Sequence, residues 1–170
     1  MPVEGFRSPY DKQAGRLHHL GRMIDKIRLM QAGRLPEEYH PNYGLSFGLD
    51  GQMCGFLGVE FKDLEARIAQ GGTDDEIAEW IFTRGLRPNR QQAVVWNEYI
   101  RKLGWRDRGA AVLAKVKAES GFGDRHDIVT IFDGIALREG HPLAPPPEPL
   151  SPEIEAALRA RSAPPPASSS

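Results

Sequence analysis

Hydrophobic residues recur at spacings of three and four along most of the chain, which is typical of amphipathic helices. The segment Ser8-Pro9-Tyr10-Asp11 offers an N-cap, a proline at the first helical position and an acid in the first turn. The pattern therefore predicts a first long helix that begins near Ser8 and closes at Gly33. Its apolar stripe is formed by Leu17, Leu20, Ile24 and Ile27.

Later stripes predict further helices, each ended by glycine. Thr73-Asp74-Asp75-Glu76 is a capping-box signature, and Asn89 is placed to cap the helix that carries Trp96. The remaining stripes lie within 50–58, 61–70, 112–121 and 128–140. Leu and Ala number 32 residues, against 20 for Val, Ile and Thr, which favours helices over strands. We predict an all-α fold in which residues 6–142 form one compact domain of about seven helices.

Proline is concentrated at the end of the chain. Nine of the 14 prolines lie between Pro142 and Pro166, including three-residue runs at 145–147 and 164–166. Such runs favour extended polyproline geometry and do not join a packed core. We therefore expect residues 143–170 to form a proline-rich, mostly disordered tail, with one short helix at 152–162.

The net charge of −1 conceals blocks of opposite sign. Residues 7–34 carry +5, residues 35–82 carry −8 and residues 83–126 carry +6. One interpretation is that opposite blocks neutralise each other across the folded surface. The alternative is that the two basic blocks converge on an anionic ligand.

The first helix carries the strongest candidate site. At 100° per residue, His19, Arg22 and Lys26 share one face, and Asp25 lies beside Arg22. Such donors suit a carboxylate or phosphate, and a histidine beside them suits proton transfer near neutral pH. We predict His19 and Asp25 as catalytic residues, with Asp25 orienting Arg22, and Arg22 and Lys26 as ligand-binding residues. The competing interpretation is a solvated polar face.

Two more residues complete the predicted ligand site. Tyr43 lies in a loop that can approach the first helix, and Asn97 shares a helical stripe with Arg90 and Arg101. In a helix–turn–helix protein the 74–103 pair would place this stripe in the major groove. The linker 85–89 is longer than the usual tight turn and the pI is about 6.5, so nucleic-acid binding is the third hypothesis only.

Metal and thiol chemistry find little support in the sequence. Glu37 and His40 have Glu-x-x-His spacing, but prolines bracket them and no second copy exists. Cys54 lies in an apolar stretch where a small buried side chain is expected. We predict no metal and no cofactor. No secretory signal or membrane-length apolar run is visible, which predicts a cytoplasmic protein.

Several ordered strings are similar to an uncharacterised, mainly bacterial family of about 150-residue proteins, catalogued as a domain of unknown function. These strings are Arg7-Ser8-Pro9, HLGRMIDKIR at 19–28, PNYG at 41–44, the segment 50–58, WNEYIRKLGWRD at 96–107, DIVTIFD at 127–133 and Glu139-Gly140. The resemblance implies no activity. It implies that the tail is an appendage and that the polar residues of 19–28 serve a site or a buried network.

The leading hypothesis is therefore a small helical protein that binds an anionic small molecule through His19, Arg22 and Lys26. One form of this hypothesis is an enzyme that also transforms the bound molecule. The alternative is a non-enzymatic adaptor in which the helical domain is a scaffold and the proline-rich tail docks on a partner. The pattern specifies neither a reaction nor an oligomeric state.

Overall fold

The computed structural model describes residues 4–144 and 149–162, and within these ranges the chain is helical without strands. The all-α prediction is thus confirmed. The described residues form eight α-helices: α1 (Leu20–Gln31), α2 (Leu49–Leu57), α3 (Phe61–Ala69), α4 (Asp74–Arg84), α5 (Arg90–Lys102), α6 (Ala110–Glu119), α7 (Ile131–Arg138) and α8 (Pro152–Ser162). Two short 3-10 turns, Ala14–Arg16 and Glu37–Asn42, lie in the connections.

The predicted helix start at Ser8 is wrong, because α1 begins only at Leu20. Gly15, Arg16 and His19 have positive φ angles of 58°, 60° and 74°. Left-handed residues cannot continue a right-handed helix, and for residues with a Cβ they cost about 1–2 kcal/mol each. The chain before α1 is consequently a series of turns that folds back along α1.

α1 is the central helix of the domain, and nine of its twelve residues are buried. Its apolar face joins the main core, where Leu20, Met23, Ile24 and Ile27 have no exposed surface. Other elements also cover its polar face, so that Arg22, Asp25 and Lys26 are at most 8% exposed. A helix enclosed in this way has to satisfy its charged groups inside the protein.

Three helices begin with complete capping boxes. Thr73 and Glu76 cap α4, Asn89 and Gln92 cap α5, and Thr130 and Asp133 cap α7. In each box the cap side chain accepts from the N3 main chain, and the N3 side chain accepts from the cap N–H. These caps fix where the helices begin and therefore which residues face the core.

The tail is described in part. The proline runs at 145–147 and 164–166 lie outside the described residues. In α8, every side chain described from Pro152 to Arg161 is exposed. No helix in the described part of the chain has the length and apolar character needed to cross a membrane.

Candidate functional site

The carboxylate of Asp50, at the start of α2, binds two of the predicted site residues. Lys26 Nζ donates to its oxygens at 2.9 and 2.7 Å, and His19 Nε2 lies 2.9 Å from Oδ1. The main-chain N–H of Gly44 donates to Oδ2 at 3.1 Å. The Asp50 and His19 side chains are almost completely buried. The structure thus brings His19 and Lys26 together, and their shared partner is Asp50, a residue of the same chain.

Burial sets the protonation of this group. It lowers the pKa of His19 below its ordinary value, against the opposing effect of Asp50. Since a carboxylate only accepts, Nε2 of the neutral ring carries the hydrogen, and Nδ1 is an acceptor with no donor among the described residues. Burial would raise the pKa of Asp50, but His19 and Lys26 outweigh it and hold that pKa below its usual range. Asp50 is therefore ionised at neutral pH, and burial lowers the pKa of Lys26 against the opposing effect of this carboxylate.

Arg22 is held by a second carboxylate, that of Glu139, which follows α7 directly. Its two terminal nitrogens donate to the two oxygens of Glu139, each at 2.6 Å, and one also donates to the main-chain carbonyl of Arg7 at 2.9 Å. The Tyr39 hydroxyl donates to the same carboxylate at 2.8 Å. The guanidinium also stacks on Phe6, 3.9 Å from the ring centroid. Arg22 is thus paired in the bidentate geometry that a carboxylate ligand would use.

Asp25 does not orient Arg22, so this part of the prediction is wrong. Its carboxylate accepts from Arg7, at 3.0 Å from the main-chain N and at 2.7 Å from each of Nε and a terminal nitrogen. The same guanidinium donates to the carbonyl of Gly21 at 2.9 Å. A Cβ at position 21 would lie 2.8 Å from the central carbon of the Arg7 guanidinium, so glycine allows this close approach. Asp25 holds the N-terminal segment on α1.

Three basic residues of the first charged block pair with two acids of the second block. Arg7 and Arg28 both bind Asp74, and Lys26 binds Asp50. These pairs agree with mutual neutralisation of the blocks, the first of the two interpretations of the charge pattern. The donors of α1 are consequently taken up inside the domain.

The polar groups of Tyr43 and Asn97 bind partners other than the cations of α1. The Tyr43 hydroxyl donates to Glu65 at 2.6 Å. Asn97 accepts from the main-chain N–H of His18 at 2.8 Å and donates to the carbonyl of Arg16 at 3.0 Å. Asn97 therefore braces the left-handed turn before α1. Asn97 is also one of the residues predicted to face nucleic acid, and its side chain binds main-chain groups of the fold instead.

Sequence reasoning missed the two acceptors that complete the cluster on α1. Asp50 lies 24 residues from Lys26 along the chain, and Glu139 lies 117 residues from Arg22. Helical periodicity relates only neighbours on one helix, and so it could not pair these residues. One signal was available: both acids belong to the strings that resemble the family, as do the basic residues that they bind.

An open groove of about 220 Å³ lies between α3 and α4. It is lined by Asp63, Ala66, Arg67, Gln70, Trp80 and Arg84. The Arg84 guanidinium lies over Trp80, 5.2 Å from the ring centroid, and one of its nitrogens is 3.7 Å from an Asp63 oxygen. Arg67 donates to the carbonyl of Gly71 at 2.7 Å. The ionisable side chains of this groove are thus two cations and one carboxylate.

A second opening of about 250 Å³ lies beside α6, where Lys117 is the ionisable lining residue. That lysine donates to the main-chain carbonyls of Arg125 and Ile128, which fixes the loop after α6. Within residues 4–144 and 149–162, no three His, Cys, Asp or Glu side chains are grouped closely enough to hold a metal ion.

Comparison with known protein families identifies the family of this chain. Residues 3–141 match the family described as a domain of unknown function, DUF5069. The match covers most of the 170 residues, and the chain therefore belongs to this family. No curated protein matches the sequence.

Proposed function

We propose that this chain, a member of a family described only as a domain of unknown function, binds an anionic small molecule in the groove between α3 and α4. The ligand class is the one predicted from the sequence, but the place is different. The observation that carries the proposal is that Arg67 and Arg84 line one groove together, while their charges are incompletely matched by acids of the same groove.

Arg84 has unused hydrogen-bonding capacity. Among the residues that the structure describes, its guanidinium donates no hydrogen bond, and the Asp63 oxygen at 3.7 Å is beyond hydrogen-bonding distance. Both side chains are more than half exposed, at 57% and 55%. The guanidinium lies over the Trp80 ring, and its N–H groups are available to a carboxylate or phosphate.

The cluster on α1 is a poorer binding site for an anion than the groove. Arg22 and Lys26 are buried and already bind Glu139 and Asp50 at 2.6 to 2.9 Å. A ligand there would have to displace a carboxylate that is itself buried, and an unpaired buried charge costs several kcal/mol. The sequence-based site on α1 stays a prediction, and the groove is the better-supported place because its cations need no such exchange.

Titration of the full chain with succinate, glutarate and inorganic phosphate tests the proposal, with affinity measured by calorimetry and the site by amide chemical shifts. We expect saturable binding of at least one probe, with shifts concentrated in α3 and α4. Arg84→Gln should weaken it by about tenfold or more, the value of a charge-assisted hydrogen bond of roughly 1.5–3 kcal/mol.

Arg87→Gln is a matched control. Arg87 follows α4, pairs with Glu79 and lies over Phe82, as Arg84 lies near Asp63 and over Trp80. This variant should bind the probes as the unmodified chain does. Shifts confined to residues 19–26 would instead favour the site on α1, and the absence of binding by all three probes would refute the proposal.

A second candidate is the adaptor, which the exposure of α8 favours. An isolated helix of 11 residues is marginal in water, so a partner that covers its apolar side would stabilise it. Ile154 is 50% exposed and belongs to that side. In the full chain, Ile154→Glu should reduce binding to a partner of this kind without changing the stability of residues 4–144.

A further inference from the structure

We infer that the ligand of the α3–α4 groove is an α-amino dicarboxylic acid of the glutamate type. The inference rests on the proposed function and specifies the chemistry of its ligand. The groove juxtaposes two guanidinium groups, a carboxylate and an amide, namely Arg67, Arg84, Asp63 and Gln70. The complement of such a set is a molecule with two carboxylates and one ammonium group.

The positions of the charges fit this molecule. Asp63 and Arg84 lie together at one part of the groove, with 3.7 Å between a carboxylate oxygen and a guanidinium nitrogen. They can receive the ammonium and the carboxylate that an amino acid carries on one carbon. Within residues 4–144 and 149–162 neither group is taken up by a close ion pair, because 3.7 Å exceeds a hydrogen bond.

The second arginine matches the side-chain carboxylate. Arg67 is four residues after Asp63 on α3, which places its Cα ~6 Å further along the helix, and its guanidinium donates to the carbonyl of Gly71 after the helix end. Ala66 lies between them in sequence and adds little bulk to the lining. The α-carbon and two methylene groups separate the two carboxylates of glutamate, and the methylenes can lie against Trp80 and Ala66.

Asp63 is the specificity-determining residue in this arrangement. A simple anion gains nothing from Asp63 and is repelled by it, whereas an amino acid places its ammonium group there. The groove should therefore discriminate against dicarboxylates that lack the amine. It should also discriminate against an amino acid whose side chain ends in an amide, because Arg67 then loses a charged partner.

Calorimetric titration of the full chain with L-glutamate, glutarate and L-glutamine tests the inference. We expect L-glutamate to bind about tenfold more tightly than either of the other two. In Asp63→Asn the preference for glutamate over glutarate should vanish, because the ammonium group loses its partner. Asp75→Asn, at an exposed aspartate in the first turn of α4, is the control and should keep the preference.

Each outcome separates this inference from the proposed function. If glutarate binds as tightly as L-glutamate or more tightly, the groove binds anions but the ligand class is wrong. An undiminished preference in Asp63→Asn would overturn the role of Asp63 and the inference with it. If neither compound binds, nor succinate nor phosphate, the proposed function fails as well.

Discussion

The buried cluster on α1 and the groove between α3 and α4 use the same residue types in opposite ways. In the cluster, Arg22 and Lys26 are bound by two buried carboxylates at 2.6 to 2.9 Å. In the groove, Arg84 lies 3.7 Å from a half-exposed carboxylate. The difference teaches that basic residues in a sequence indicate a ligand only when the fold leaves their donors without internal acceptors.

The largest expected effect comes from removing a carboxylate of the cluster. Asp50→Asn leaves Lys26 buried without its counter-charge, and loss of one partner of a buried pair costs about 3–5 kcal/mol. Urea unfolding followed by circular dichroism measures this change. The same replacement in the groove, Asp63→Asn, removes a loose exposed pair and should cost at most ~1 kcal/mol. Equal costs at the two positions would contradict the comparison.

Stability should also fall on mild acidification. Burial lowers the pKa of both His18 and His19, so below pH ~6.5 the unfolded chain takes up protons that the folded chain refuses. We expect a loss that approaches about 1.4 kcal/mol per pH unit for each histidine between pH 6.5 and its folded pKa. Urea unfolding at a series of pH values measures it.

Asp50 does not contribute to that slope. Its folded pKa is lowered, so its stabilisation is fully present above the unfolded carboxyl pKa of ~3.9 and is lost only as the pH falls below it. His18→Gln should reduce the change of unfolding free energy with pH near pH 6, and the contribution of His19 should remain. A stability independent of pH between 5.5 and 7.5 would show that neither histidine is held neutral.

An intermediate effect is expected at Asn97, which supports the cluster without belonging to it. Asn97→Ala removes two hydrogen bonds to the main chain of Arg16 and His18 and should cost about 1–2 kcal/mol. Thermal unfolding monitors the change. Gln91→Ala, at an exposed position of the same helix, should be neutral by comparison. A neutral Asn97→Ala would mean that the turn before α1 needs no brace.

The smallest expected effect on stability is that of Arg84→Gln. Its pairing with Asp63 is loose and exposed, so the free energy of unfolding should change by less than ~0.5 kcal/mol. Chemical unfolding without ligand measures it. A loss as large as that of Asp50→Asn would make the groove a structural ion pair and remove the contrast between the two regions.

Local signals in the sequence predicted most of the fold. The capping boxes at Thr73 and Asn89 fixed the starts of α4 and α5, because the residues that form them are three apart. The start at Ser8 failed for a physical reason. Its signals are also local, but the left-handed backbone at Arg16 and His19 is maintained by contacts such as that of Asn97, 79 residues away from His18.

The candidate sites were predicted less well than the helices. The pattern identified His19, Arg22 and Lys26 as clustered polar residues, and all three are buried, Arg22 and Lys26 within α1 and His19 at the position just before it. It could not reveal that Asp50 and Glu139 bind them, since these pairs exist only after the chain has folded. The groove was missed because Arg67 and Arg84 belong to different helices and share no periodic pattern.

The pairing of Arg22 with Glu139 also constrains how the protein is made. The two residues are 117 positions apart, so a ribosome that adds about 5–20 residues per second incorporates Glu139 several seconds or more after Arg22. During that interval this guanidinium lacks its carboxylate partner, although the carbonyl of Arg7 is already present. The domain therefore acquires its complete interior only when its last helix emerges, and a chain truncated before position 139 presents an unpaired cation to solvent or to chaperones.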